Sequence, residues 1–350
     1  MWTSGELAIH FGKYVKKIDQ SDNANRLERH VYPVIFQPIF VDEDTTFVGF
    51  RIGDIPMSGF TMDHADYIIN KTPNGLVPNV AAAIRRVCRL AVHPVKATKL
   101  SPLPHNWSPK KEGKDKEKSY LFPREELQLL NCTRIPLVRR VLYGFMTREG
   151  PRKENSVSLR WENLTLEDVR GGYIVFDETK NGRGGAWALD ESTAEALRRW
   201  RKLCPSEEFV FPAAAMGVKA RGDRPMYVDK LAAQLGDDLK LASVTRPKLF
   251  EASDRRLRLR AHDLRATFIT ISLANKQTEA WVQLRTGHTS SAMVNRYCKR
   301  ATTAEELYLG PLRPMHRAIP ELAKLGGDEP ILAGKPAAEG DILVVNFERA

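Results

Sequence analysis

The sequence predicts a mainly α-helical protein with one small antiparallel sheet, divided into two domains. Apolar residues recur at three- and four-residue spacing over much of the chain, as on one face of a helix. Alternating strand-like residues form a strand–turn–strand unit between residues 173 and 189. The chain has 350 residues, whereas one domain typically has about 150.

Four helices are predicted in the N-terminal part of the chain. The first covers residues 6–18, and Ser21 can cap the second. The third and fourth cover residues 62–70 and 78–92, where the apolar residues keep helical spacing. Residues 33–60 are rich in Pro, Gly, Phe and Ile, and we expect them to be irregular or strand-like.

A lysine-rich segment separates this region from the rest of the chain. Residues 108–118 hold five lysines and three acids without an apolar residue, so we predict a linker here. The predicted parts are a helical domain, a basic linker, a second domain and a C-terminal tail, at residues 1–93, 94–119, 120–310 and 311–350.

The second domain is predicted to surround its small sheet with helices. The strands are expected at residues 173–179 and 186–189, joined by turn residues at 180–185. The predicted helices cover residues 124–131, 134–147, 191–203, 227–242, 262–275, 278–286 and 291–299.

The charge balance favours a polyanionic partner. The chain has 54 Lys and Arg against 43 Asp and Glu, a net charge of +11, which suits nucleic acid or an anionic membrane. Residues 318–350 hold three bases and six acids, so the surplus lies in the body of the protein. A solvated, lysine-rich surface would give the same balance.

The membrane alternative finds little support. No apolar run approaches the ~18 residues that span a bilayer, and no basic-then-apolar leader opens the chain. The sequence has four cysteines, Cys88, Cys132, Cys204 and Cys298. They are far apart and form no CxxC pair, which argues against disulfides and against a zinc site. We therefore expect a cytoplasmic protein.

Several familiar catalytic motifs are absent from the sequence. It contains no P-loop, no HExxH and no nucleophile elbow. It also lacks an obvious cluster of acidic residues like those that hold two magnesium ions in many nucleases. We therefore expect neither a metal nor another cofactor.

Residues 260–271 place a histidine beside an arginine. His262 and Arg265 are three apart, so they are neighbours on a helix, and Leu264 and Phe268 lie on another face. We therefore expect both polar side chains to point away from the core in one direction. A surface helix with an incidental pair would look the same.

A second histidine precedes a tyrosine by nine residues. On one unbroken helix His288 and Tyr297 would face opposite ways, because nine residues turn by about 900°. Gly287 can end one helix, and Ser290 or Ser291 can cap the next. This break would let the two side chains converge. A half-buried helical tyrosine is the alternative.

Together these residues resemble the tyrosine recombinases, the phage-type integrases. That family has HxxR, then Gly-His, then a nucleophilic tyrosine nine residues on. Its earlier box is an arginine nine residues before a tryptophan with a leucine between, which Arg152, Leu159 and Trp161 match. Its hairpin lysine, often in Thr-Lys-x-Gly, is matched by Lys180. The resemblance covers about residues 120–310.

The N-terminal domain resembles the family's core-binding domain more loosely, and the motifs depart from the family in two places. Asn155 stands where a glutamate is usual, which leaves Arg148 as a rival for the first arginine. Ala266 stands where many members have a second histidine.

The resemblance implies a catalytic set of six residues: Arg152, Lys180, His262, Arg265, His288 and Tyr297. Tyr297 would attack the phosphodiester and form a 3′-phosphotyrosine link. Arg152 and Arg265 suit the non-bridging oxygens, because a guanidinium offers forked donors and stays charged.

The other three residues would handle protons and the phosphate. His262 is the candidate acid or base, and His288 a second phosphate donor. Lys180 would protonate the departing 5′ oxygen. The resemblance further implies double-stranded DNA as partner, a homotetramer that joins two duplexes through a Holliday junction, and an accessory directionality factor.

Two other functions remain open: relaxation of DNA like a type IB topoisomerase, and DNA binding without catalysis. The tail also carries apolar residues that could dock on a neighbouring protomer or pack on their own domain: Leu307, Leu309, Leu312, Ile319 and Leu322.

Overall fold

The computed structural model describes Thr3, Ile9 and residues 52–109, 116, 118–167, 171–176, 185–216, 223–227, 231–253, 256–288 and 290–334. Most of the first predicted helix, the helix after Ser21, the hairpin turn with Lys180 and residues 335–350 lie outside these ranges. The chain divides into two compact units, Met1–Asp115 and Lys116–Ala350. The division falls inside the segment that the sequence predicts as a linker.

In the first unit, two of the predicted helices pack through one apolar face. α1 covers Met62–Asn70 and α2 covers Val77–Val92. Pro78 is the second residue of α2, and its fixed φ suits the first turn, where no N–H partner is needed. The stripe of α2 with Val80 and Ile84 is buried against α1, as its helical spacing predicts.

The chain after α2 also belongs to this unit. Trp107 is buried, and its indole Nε1 donates to an Asp66 carboxylate oxygen at 3.1 Å. Arg85 on α2 donates to the Trp107 carbonyl at 2.9 Å. The first part of the predicted linker is therefore packed structure.

The second unit is mostly helical. Its described helices are α3 (Pro123–Asn131), α4 (Leu137–Glu149), α5 (Lys153–Val157), α6 (Glu191–Arg201), α7 (Leu231–Leu241), α8 (Leu264–Ala274), α9 (Glu279–Thr286), α10 (Ser291–Glu306), α11 (Met315–Ala318) and α12 (Pro320–Leu325). The sequence predicts most of these to within a few residues, and it misses the short helices α5, α11 and α12.

A three-stranded antiparallel sheet lies in the same unit. Its strands, in the order β1-β2-β3, are β1 (Leu164–Thr165), β2 (Tyr173–Phe176) and β3 (Gly185–Ala188). Ile174 pairs with Trp187, and both side chains are buried. The predicted fold class, mainly helical with a small antiparallel sheet, is confirmed.

Helix α4 runs through the centre of this unit. Val138, Leu142 and Phe145 are fully buried, so the helix is covered on several sides. Helix α8 packs against both α4 and α10, and its residues from Leu264 to Ile271 are all buried. A charged side chain on α8 therefore has to find its partners inside the protein.

The tail residues Ile319 and Leu322 do not form an exposed docking surface. Both are fully buried in the core of their own unit. Leu309 and Leu312 are partly buried against Tyr120 of the same unit. The hypothesis of docking on a neighbour is therefore wrong for Ile319 and Leu322, whose apolar surface packs beside α6 instead.

No helix among the described residues is both long enough and apolar enough to cross a bilayer.

Gly150 provides a test of the packing between α4 and α8. It ends α4 with φ 66°, and a Cβ there would lie 2.2 Å from the Phe268 ring. We expect Gly150→Ala to lower the free energy of unfolding by about 2–4 kcal/mol. Gly236→Ala in α7 is the matched control, because its Cβ would meet no atom within 4 Å. It should raise stability by about 1 kcal/mol in the same urea titration.

Candidate active site

Arg265 lies in the interior, on the first turn of α8. Its side chain is only 4% exposed, and its guanidinium donates to the Gly150 carbonyl at 2.8 Å and to the Thr286 carbonyl. The expectation that Arg265 points away from the core is therefore wrong. The physical reason is that α4 and α10 both cover α8, so the arginine side chain has no outer face to occupy.

Arg152 is brought close to this group by the end of α4. Gly150 turns the chain through the left-handed region, and Arg152 then caps α5. The Arg152 guanidinium lies 3.9 Å from the position a Gly287 Cβ would take. Burial, and then the charge of Arg152, lower the pKa of Arg265 to about 10. The two cations therefore share one region.

Arg148, the rival first arginine, is occupied elsewhere. It is buried, and it forms an ion pair with the fully buried Glu126 at 2.5 Å. It also donates to the Gly144 and Arg313 carbonyls. These partners are structural, because they join α4 to α3 and to the chain before α11.

Tyr297 converges on the arginines because the helix breaks where the sequence predicts. α9 ends at Gly287 with φ 60°, and Ser290 precedes α10. The Tyr297 ring is 7% exposed and packs with Phe268. Its phenol lies close enough to Arg265 to raise the pKa of that guanidinium. Among the described residues, none forms a hydrogen bond with its hydroxyl.

Both histidines are neutral at pH 7. Burial, and then the charges of Lys118 and Arg265, lower the pKa of His262 to about 4, against opposing effects of Asp263 and Glu154. Burial, and then the charges of Arg265, Arg152, Lys118 and His262, lower the pKa of His288 to about 4. The Nδ1 atom of His288 is buried without a hydrogen-bond partner among the described residues.

Lys118 joins this group, although its sequence context does not predict it. Its charge acts on both histidines. Its carbonyl accepts from Arg300, whose guanidinium also lies 4.8 Å from the centre of the Tyr297 ring. The next residue, Ser119, donates to two carbonyls, which fixes the backbone. Lys118 ends a run of charged residues that is typical of a linker. Its only sequence signal for a place in the site is that it directly precedes Ser119 and Tyr120.

The structure thus brings together five of the six predicted residues: Arg152, His262, Arg265, His288 and Tyr297. The sixth, Lys180, lies outside the described residues, between β2 and β3. The assembled set offers several cationic donors, two neutral imidazoles and a phenol. Such a pocket suits an anion with several oxygens, and a phosphodiester beside a nucleophile in particular.

The chain matches a family model described as the Phage integrase family over residues 113–303, which is more than half of its length. No curated protein matches the chain.

Solved structures share its fold at low sequence identity. The Tn1549 transposon integrase in complex with transposon right-end DNA has 15% identity and a TM-score of 0.59, over 87% of this chain and 99% of that one. XerH bound to palindromic difH substrate has 15% identity and a TM-score of 0.57, over 88% and 96%. A lambda integrase tetramer bound to a Holliday junction has 12% identity and a TM-score of 0.57, over 84% of this chain and 77% of that one.

Replacing each of the two nearby arginines should separate structure from function. Arg148→Ala should lower the free energy of unfolding by about 3–5 kcal/mol, because it leaves Glu126 buried and unpaired. Arg152→Ala, the matched control, removes a half-buried cation from among other cations and should change it by less than about 1 kcal/mol. Urea titration measures both. Equal losses would contradict the distinction.

The two histidines should make stability depend on pH. Their folded pKa of about 4 lies below the usual 6.5, so the unfolded chain binds more protons between these values. Stability is therefore lost as pH falls from 6.5 towards 4. The double variant His262→Asn and His288→Asn should lose less stability than wild type over this window, as measured by urea titration at each pH. If the stability of wild type and of the double variant falls equally with pH, the two histidines are not buried in the neutral state.

Proposed function

The chain belongs to the phage integrase family, and from this we propose that it is a site-specific DNA recombinase that cuts and rejoins strands through Tyr297. The observation that carries the proposal is the convergence of Arg152, Arg265, His288 and Tyr297 in one cationic pocket. Neither arginine is neutralised there by a carboxylate among the described residues, so both remain available to an incoming anion.

Arg265 is suited to hold the scissile phosphate. Its two carbonyl partners use only part of the guanidinium, and the remaining N–H groups are free to donate to a non-bridging oxygen. Arg152 would bind the other non-bridging oxygen. A phosphate between the two guanidiniums would relieve the repulsion that lowers the pKa of Arg265. Loss of one such donor often slows a reaction by about 10²–10³-fold.

The chemical step follows from these positions. The Tyr297 oxygen attacks phosphorus while the bond from phosphorus to the 5′ oxygen breaks. The phenol proton passes to a neutral imidazole, and His262 is suited to accept it because it is uncharged at pH 7. We assign protonation of the departing 5′ oxygen to Lys180. His288 and Lys118 add donors around the phosphate.

The products explain why the strand can be rejoined. The 3′-phosphotyrosine link keeps the reactivity of the broken bond, so a free 5′ hydroxyl can attack it and release Tyr297. A 5′ hydroxyl from a second duplex gives strand exchange. We propose that a homotetramer on two duplexes carries this out through a Holliday junction, as the lambda integrase tetramer bound to one suggests by its fold.

Basic residues of both units would contact the DNA backbone, which accounts for the net charge of +11. A type IB topoisomerase-like activity would use the same pocket without a second duplex. Products that join two duplexes distinguish recombination from relaxation, and no observation favours the latter.

Tyr297→Phe tests the proposed nucleophile. A duplex nicked near its recombination site, taken from the DNA flanking the gene, should become covalently attached to the wild-type protein and resist denaturing electrophoresis. The variant should show no attachment and should retain most binding, because phosphate contacts dominate affinity. Tyr308→Phe is the matched control, since Tyr308 is 94% exposed, and it should behave as wild type.

Attachment that survives in Tyr297→Phe would assign the nucleophile to another residue. Attachment lost in Tyr308→Phe as well would mean that the change acts through something other than the proposed attack.

A further inference from the structure

Glu149 is a buried carboxylate that the proposed chemistry does not use. It is the last residue of α4 and is fully buried. The next residue, Gly150, gives the carbonyl that accepts from Arg265 at 2.8 Å. A shift of Glu149 would therefore move an atom that holds a phosphate-binding arginine.

The Glu149 carboxylate holds two other elements. One oxygen accepts from the indole Nε1 of Trp187 on β3 at 2.9 Å. The other accepts from the backbone N–H of Asp190, which precedes α6, at 2.9 Å. The strand and the start of the helix are thereby joined to the end of α4.

A third element reaches Glu149 through an arginine. Arg285 on α9 lies 3.8 Å from the carboxylate, donates to the Ala188 carbonyl at 2.6 Å, and stacks on Trp281. Thr286 follows Arg285, and its carbonyl is the second acceptor for Arg265. Both carbonyls that hold Arg265 therefore belong to residues directly next to this carboxylate or to its partner.

Burial makes the Glu149 carboxyl harder to ionise than an exposed one. Burial raises the pKa of Glu149 to about 6, although the Asp190 N–H, Arg285 and Trp187 act against the rise. The usual value is 4.5, so the folded protein binds this proton more tightly than the unfolded chain does. The stability that the protonated form contributes is therefore lost as pH rises from 4.5 through about 6.

We propose that Glu149 is a positioning residue of the recombinase site, whose carboxylate fixes β3, α6 and α9 against the carbonyls of Gly150 and Thr286 that orient Arg265. The inference rests on the proposed function. The ionised form is the active one, because a protonated carboxyl gives up one acceptor oxygen and its attraction to Arg285. The charged groups that face it are Arg285 on α9 and Asp190 at the start of α6, while β3 presents the neutral indole of Trp187.

The test combines E149Q with W187F, which keeps the ring but removes the indole donor. W200F is the matched control, because Trp200 is also buried and donates to the Val210 carbonyl. Each full-length protein is assayed for the rate of covalent attachment to the nicked duplex from pH 5 to 8. Hydrogen exchange of β2 and β3 is measured on the same proteins without DNA.

We expect the wild-type rate to fall as pH drops through about 6, the pKa of Glu149. The histidines do not account for this fall, because their pKa values are about 4. E149Q should be slower by roughly 10-fold at pH 7.5, since a full ~1 Å misplacement of a catalytic group can cost about 10²-fold and Gln keeps one acceptor oxygen in place. Its rate should be flat from pH 5 to 7. The β3 amides should exchange faster in E149Q and in W187F than in wild type. W200F should match wild type in both assays. The double variant of E149Q and W187F should form the covalent complex no more slowly than E149Q alone.

E149Q with the wild-type rate, or with the wild-type fall near pH 6, would overturn the proposal. So would unchanged exchange in β3 for W187F, which also decides the matter if E149Q does not fold. Because exchange is read without DNA, a failure of the proposed recombinase function would appear separately, as a wild-type protein that forms no covalent complex while the β3 effect remains.

Discussion

The candidate site depends on a buried arginine whose charge is held by backbone carbonyls. An unpaired charge inside a protein is strongly unfavourable, and Arg265 meets this constraint with the carbonyls of Gly150 and Thr286. These two acceptors lie at the ends of α4 and α9. Both helices stop there, each at a glycine with positive φ, and this leaves the two carbonyls free to accept from Arg265.

The same two helix ends bring the remaining groups to the arginine. After Gly150 the chain places Arg152 at the start of α5, and after Gly287 it places His288 before the break that precedes α10. Tyr297 then returns on α10 beside α8. The depressed pKa of both histidines follows from burial among these cations, so a pocket built to receive an anion also keeps its proton acceptors neutral.

The sequence predicts the features that depend on local spacing, and it misses those set by packing. Helical periodicity locates α8, and Gly287 locates the break before α10. Periodicity within one helix does not reveal that α4 and α10 both cover α8, so the burial of Arg265 is not predicted. Lys118 looks like part of a solvated charge run, and Glu149 like an ordinary acid at a helix end. Their positions depend on residues far away in the chain, such as Arg300 and Trp187.

A crystal structure of the protein covalently joined to a nicked duplex would show whether the buried arginine binds the phosphate that Tyr297 attacks. We expect a bond between phosphorus and the Tyr297 oxygen, with Arg152 and Arg265 each donating to a non-bridging oxygen while Arg265 keeps its contacts to Gly150 and Thr286. A phosphate bonded to a different residue, or a phosphate out of reach of the Arg265 guanidinium, would contradict it.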